Sequence, residues 1–228
     1  MEPNDDLPLK PLDEPSRLRR RSGAGWTPRS GPSRADFFEH LAKEHDAMAF
    51  RPDDLARLPV LRRRLGELEG LRVLEPGCGA GHLTEQLAQW VGPTGRIVAV
   101  EPATTMLERA RVRTAGAENV EYQPTRIEAT DFPAATFDRI VFFRVWPHFE
   151  DGEAVLAQCA RWLAPRGRLV IAQWDSRAEL AAIHRGYAAV AGDVFPPRAE
   201  LEAALRRKGF SVRQWIDDER EIFIAAAR

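Results

Sequence analysis

Val-Leu-Glu-Pro-Gly-Cys-Gly-Ala-Gly-His-Leu-Thr-Glu-Gln-Leu-Ala, residues 73–88, passes from an apolar strand through three alternating glycines into an amphipathic helix. Without a Cβ, Gly77, Gly79 and Gly81 can take positive φ and let backbone amides approach a ligand that any side chain would hold away. The helix that follows turns its free N–H groups and positive dipole end toward the same place. Leu71, Val73 and Leu74 before the glycines, and Leu83, Leu87 and Ala88 at helical spacing after them, place the turn inside a βαβ unit. Open α/β sheets bind ligands at that end of their strands.

Spacing narrows the ligand. A dinucleotide fingerprint starting at Gly77 needs glycine where His82 stands, and one starting at Gly79 needs glycine where Thr84 stands. No Gly-Lys-Ser/Thr follows, so a phosphate-cradling P-loop is unsupported as well. Glu75, at the end of the strand, would repel phosphate and suits a cationic or amine-bearing ligand.

Glu75-Pro-Gly-Cys-Gly-Ala-Gly81 resembles the first motif of the class I S-adenosylmethionine-dependent methyltransferases, two apolar residues followed by [DE]-x-G-x-G-x-G. Three further stretches resemble that family in its order. Arg96-Ile-Val-Ala-Val-Glu101 reads as a buried strand ending in the carboxylate that grips the ribose hydroxyls, and 102–111 resembles the following helix, which begins near the adenine. Residues 132–143, with Phe137-Asp138 at their centre, resemble the fourth-strand signature. Residues 161–171, with Pro165-Arg-Gly167, resemble the turn into the fifth strand. The likeness spans roughly 71–173. It implies S-adenosylmethionine as cofactor and Glu75, Gly77, Cys78, Gly79, Gly81, Glu101, Pro102, Met106, Arg126, Ile127 and Phe143 as the residues around it.

Two places depart from the family pattern. Thr125-Arg126-Ile127-Glu128 stands where many members have Gly-Asp-Ala-Glu and use the aspartate on the adenine amino group. Arginine is a donor only, so Arg126 cannot accept that bond. The backbone at Ile127, or Glu128, is left to read the base, or binding is weaker. After the fourth strand, Phe143-Arg144-Val145-Trp146 lacks the Asn/Asp-Pro-Pro-aromatic sequence of the amino-group methylases that act on nucleic acid and protein glutamine.

A chain of 228 residues, 44% apolar, can bury one sizeable core. Residues 1–34, rich in proline and carrying the basic run Arg17-Leu-Arg-Arg-Arg21, read as a disordered tail. Residues 35–228 read as a single methyltransferase domain with 35–66 as a helical lid. A formal charge of −1, with basic residues beyond the tail interleaved with acids, does not suggest nucleic acid or another polyanionic partner. No apolar run reaches the ~18 residues of a membrane span, and the acidic start is no signal segment; both point to the cytoplasm. Cys78 and Cys159 make neither a disulfide framework nor a metal pair, and no His/Asp/Glu cluster has ligand spacing.

The remaining periodicities complete the fold. Helices are expected at 36–49, 52–65, 151–163, 177–191 and 198–208, a fifth strand at 167–174 and a final hairpin at 211–216 and 221–226. With these elements the resemblance to the methyltransferases implies a Rossmann-like doubly wound sheet of seven strands, mostly parallel, with an antiparallel last strand.

A sulfonium methyl is already activated, so alignment and exclusion of water do most of the work and no base is obligatory. Histidines are the candidates where one is used. His148 follows the fourth strand, and His184 lies on the helix after the fifth. With His45 of the lid and Trp146 they make the candidate acceptor set. The aromatic residues Phe37, Phe38, Phe50, Trp146, Trp174, Tyr187 and Phe195 fall in segments expected over the active face or in the core. Pro147-His-Phe149, Asp175-Ser-Arg177, Ile183-His184 and 193–197 together resemble a branch of bacterial methyltransferases with small-molecule or unassigned substrates. Methyl transfer to a small molecule is the reading that follows. Binding of the cofactor without turnover stays open because of Arg126, and a nicotinamide oxidoreductase is discounted by His82 and Thr84.

Overall fold

The computed structural model describes residues 34–44, 46 and 48–228. The expected tail, apart from Arg34, and His45 lie outside the described residues. Arg34 is the first residue of helix α1 (Arg34–Glu44), so the folded region takes in a residue that the sequence reading left to the tail. Helix α2 (Pro52–Leu65) has the expected bounds: Pro52 opens it, and the Asp54 carboxylate accepts from the Arg51 backbone N–H at 3.0 Å.

Then come β1 (Arg72–Pro76), α3 (His82–Val91), β2 (Arg96–Val100), α4 (Thr104–Arg113), β3 (Val120–Gln123) and β4 (Phe137–Phe143). Helix α5 (Gly152–Trp162), β5 (Leu163–Gln173), α6 (Arg177–Arg185), α7 (Arg198–Arg207), β6 (Ser211–Asp217) and β7 (Ile222–Ala227) complete the chain. The seven strands form one sheet in the order β3-β2-β1-β4-β5-β7-β6. Pairs from β3 to β5 are parallel, while β7 runs antiparallel to both β5 and β6, which bears out the expected Rossmann-like sheet with its reversed last strand.

Three elements differ from expectation. Helix α1 ends at Glu44, and Met48 and Ala49, expected within it, are not helical. Strand β5 begins four residues early, because Leu163 already pairs with Phe137 before a register shift at Arg139. Helix α6 stops at Arg185, not 191: Gly186 follows, and the His184 imidazole bonds to the Asp193 carbonyl across the loop that the longer helix would have occupied.

Side-chain alternation explains why both faces of the sheet are covered. Leu74, Val98, Val100, Ile140, Phe142, Leu169 and Ile171 pack with α5 and α7 into one core, which includes Trp162 and Leu205. Their neighbours Val73, Ile97, Ala99, Val141, Val170 and Ala172 face the other way, against Leu61, Leu65, Leu83 and Leu87 of α2 and α3. β1 lies between β2 and β4, so the sheet's direction of winding reverses beside it, and a crevice opens at the carboxyl ends of β1 and β4.

Candidate functional site

That crevice is a cavity between the turn after β1, the end of β2, the turn after β3, the end of β4 and helix α1. The three glycines of the β1–α3 turn all have positive φ, 71°, 54° and 82°, in three different surroundings. A Cβ on Gly77 would collide with Val145 Cγ2, and one on Gly81 would lie 2.8 Å from the Ala110 backbone of α4. At Gly79 nothing lies within 4 Å, so this residue presents bare backbone to the cavity.

Two buried carboxylates flank the turn. Glu101, at the end of β2, accepts from the Gly79 N–H at 3.0 Å and the Ala103 N–H at 2.9 Å. Burial raises its pKa, and the two amide bonds oppose that rise. Glu75 accepts from the Thr84 hydroxyl at 2.7 Å, yet burial, reinforced by Glu101, pushes its carboxyl up to about 8. By itself, therefore, Glu75 is largely neutral at pH 7, not the standing anion that its place in the sequence suggests. The Cys78 thiol between them is raised well above the usual thiol range by burial, so it stays protonated.

Glu75, Gly77, Cys78, Gly79, Glu101, Pro102, Met106, Arg126, Ile127, Phe143 and His148 all line the cavity. Gly81 does not, since its task is close packing on α4. Trp146 does not either: it is buried and packs edge-on to Phe142 and Phe149. His184 is buried behind His148, ring centroids 5.0 Å apart, and burial lowers its pKa.

Of the aromatic set, Phe38 and Phe50 reach the cavity, joined by Phe143 and Phe149. Trp174 stacks behind Phe50 and Phe143, Phe195 is buried, and Tyr187 packs on Phe37 away from the cavity.

Arg126 extends to Glu150, Nη2 to Oε1 at 3.4 Å, and stands 3.5 Å from Glu128 Oε1. That distance is too long for a good hydrogen bond, and Oε1 of Glu128 is buried at the cavity without a hydrogen-bond partner.

The sequence reading missed Arg34, Met48, His82, Arg144 and Asp193 as parts of this region. His82 was read only as a failed glycine; its Nε2 pairs at 2.8 Å with the Asp46 carboxylate, which also accepts from Arg113. Arg144 sits in left-handed backbone, φ 56°, a conformation that its residue type does not announce. Asp193 was read only as part of the 193–197 stretch between two expected helices. Its carboxylate, 2% exposed, accepts from His148 Nδ1 at 2.7 Å and from Arg34 Nε at 2.9 Å.

Helix α1 closes the cavity's outer side. Phe38, Leu41 and Ala42 pack with Ala80, Ala103 and Met106, and the Glu39 carboxylate caps α4 by accepting from the Thr104 and Thr105 N–H groups. Among the described residues no helix is long and apolar enough to cross a membrane, and no cluster of His, Cys, Asp and Glu could hold a metal ion.

Comparison with known proteins gives this geometry a family. Residues 74–171 match a model described as a methyltransferase domain. The chain is 33% identical over 179 residues to the ubiquinone/menaquinone biosynthesis C-methyltransferase UbiE of Enterobacter sp. (strain 638), covering 74% of this chain and 69% of that one. It is 26% identical over 194 residues to the demethylmenaquinone methyltransferase of Lactococcus lactis subsp. lactis (strain IL1403), 82% of this chain and 75% of that one. Among solved structures, N-methyltransferase NodS from Bradyrhizobium japonicum WM9, in complex with S-adenosyl-L-homocysteine, superposes with a TM-score of 0.66. It is 21% identical, with 84% of this chain and 96% of that one covered.

Proposed function

The chain belongs to the class I S-adenosylmethionine-dependent methyltransferases, and from that membership we propose where it holds the donor and what kind of acceptor it takes. The readings without turnover or with nicotinamide chemistry are set aside by the same membership. S-adenosylmethionine supplies a sulfonium methyl that needs only alignment with a nucleophile and a dry site.

The observation that carries the donor placement is the Glu101–Gly79 pair: a buried carboxylate held by two backbone amides beside a glycine with open space above it. A carboxylate has about four lone-pair positions, so Glu101 can accept from the two ribose hydroxyls while keeping its amides. Pro102, Met106, Ile127 and Phe143 supply apolar walls for the adenine. Glu128, with an unsatisfied buried oxygen, takes the adenine amino group in place of the aspartate that Arg126 replaces. Glu75 and the turn Gly77-Cys78-Gly79 face the amino-acid end, where the ligand's ammonium favours the ionised form of Glu75. Helix α1 acts as the lid.

The acceptor is a small molecule with an apolar, planar body, suited to the walls of Phe38, Phe50 and Phe149. A polyanionic substrate is not supported, because the basic groups around the cavity are matched by acids: Arg34 with Asp193, Arg126 with Glu150 and Arg144 with Asp175.

Thermal-shift titration with S-adenosylhomocysteine tests the placement: a ligand at 100 times its Kd stabilises by about 2.7 kcal/mol. Glu101→Ala should remove the shift, and unchanged affinity in that variant would refute the ribose site. Glu128→Ala should abolish the preference of the wild type for S-adenosylhomocysteine over S-inosylhomocysteine, which lacks the amino group. Equal preference in both proteins would refute the adenine assignment.

A further inference from the structure

We propose that His148 is the base that takes the proton of a phenol-like hydroxyl on the acceptor, with Asp193 as its positioning residue, so that the reaction is an O-methylation. This rests on the donor placement above, since both sites share one cavity.

His148 stands at the end of the short 3-10 turn 146–148 after β4, lines the cavity, and has Nδ1 2.7 Å from Asp193 Oδ2. Burial of Asp193 opposes its ionisation, but the bonds from His148 and Arg34 outweigh it and hold the carboxyl below the usual range. An ionised carboxylate only accepts hydrogen bonds, so Nδ1 carries a proton, and in the neutral ring the lone pair is then on Nε2.

The surroundings fix this arrangement from three sides. Arg34 of α1 binds both oxygens of Asp193, and its Nη1 reaches Glu150 at 3.5 Å. The His184 ring, on α6, backs His148, and its Nδ1 lies 2.6 Å from the Asp193 carbonyl oxygen, which anchors the loop that carries the carboxylate. Phe38 of the lid meets the His148 ring edge-on at 5.2 Å. A histidine with its buried carboxylate on one nitrogen and the cavity beside it has the arrangement of a general base.

The choice of hydroxyl follows from proton affinity. A neutral amine attacks through a lone pair that it already has, and a thiol ionises near neutrality. A phenol, at roughly 10, is the nucleophile whose attack gains most from a neighbouring imidazole. The aromatic walls suit the ring that bears it. The acceptor hydroxyl gives its proton to His148 Nε2. Its oxygen forms the new bond to the methyl carbon as the carbon–sulfur bond breaks, and that electron pair stays on sulfur. The proton then leaves the imidazole for solvent.

The test uses full-length protein with 15N-labelled histidine, saturated with S-adenosylhomocysteine, together with turnover of labelled donor on catechol and on thiophenol. Long-range 1H–15N spectra should give His148 as the Nδ1–H tautomer in the wild type and as a mixture in Asp193→Ala. His148→Gln should lower catechol O-methylation by about 10²–10⁴-fold and leave thiophenol methylation within about threefold. Both variants should keep wild-type affinity for S-adenosylhomocysteine. A wild-type Nε2–H tautomer, undiminished catechol turnover in His148→Gln, a carbon-methylated product, or methylation of thiophenol but not catechol would each overturn the proposal. Failure of the wild type to bind S-adenosylhomocysteine would instead refute the donor placement, while the tautomer would still decide the fate of the His148–Asp193 pair.

Discussion

At the residue scale, the glycine motif turns out to be three separate requirements. Gly77 makes room for Val145, Gly81 lets α3 approach α4, and only Gly79 is bare toward the cavity. Gly81→Ala should therefore be a stability mutant. It places a Cβ against backbone at positive φ and should cost about 1–3 kcal/mol in chemical denaturation, with the cavity's polar groups untouched. Glu75 gives a pH prediction. Its folded pKa, about 8, lies above the ordinary 4.5, so the native state holds this proton more tightly than the unfolded chain does. The associated stability is complete below pH 4.5 and lost as pH rises through 8. Ligand-free protein should thus lose Tm between pH 5 and 8, and Glu75→Gln should flatten that slope; an equally steep loss in the variant would contradict the assignment. The sequence marked Glu75, Glu101 and the glycines because strand ends and glycine spacing are local signals. It gave no sign of Asp193 as a partner of His148, since residues 45 apart meet only through the fold.

At the scale of elements, boundaries followed local chemistry where caps were present. Helix α2 begins at Arg51-Pro52, as read, and α6 begins at the Ser176–Glu179 capping box. Where an end is set from a distance, the reading failed: α6 is cut short beside the His184–Asp193 bond, and β5 is lengthened by pairing with β4. Helix α1 is held by side chains more than by depth of burial. Glu39 reaches across to cap α4, and Arg34 reaches Asp193. Glu39→Ala should raise amide hydrogen exchange in both α1 and the first turn of α4 while shifting global stability by no more than about 1 kcal/mol. Faster exchange throughout the sheet would mean that α1 is part of the core and not a lid.

At the scale of the whole molecule, the last strand closes the sheet from within. β7 lies between β5 and β6, and its side chains alternate between the two cores, Ile222, Ile224 and Ala226 to one, Phe223 and Ala225 to the other. The pairing of β5 with β7 joins segments about fifty residues apart, so the final hairpin completes both faces at once. Ile224→Ala, at a fully buried position, should cost about 2–5 kcal/mol in denaturant unfolding and lower stability cooperatively for the entire described domain. A second, separate transition would instead make the hairpin an independent unit.

The sequence alone determined the fold class, the family resemblance and the end of the sheet where the crevice opens. Each of these rests on short-range patterns: apolar alternation, glycine spacing and a carboxylate at a strand end. Only the tertiary structure decided that Trp146 is core, that burial raises the Glu75 pKa, that Glu128 has a buried oxygen without a hydrogen-bond partner and that Asp193 meets His148. Burial and long-range hydrogen bonding set those properties, and neither is a function of neighbouring residues in the chain.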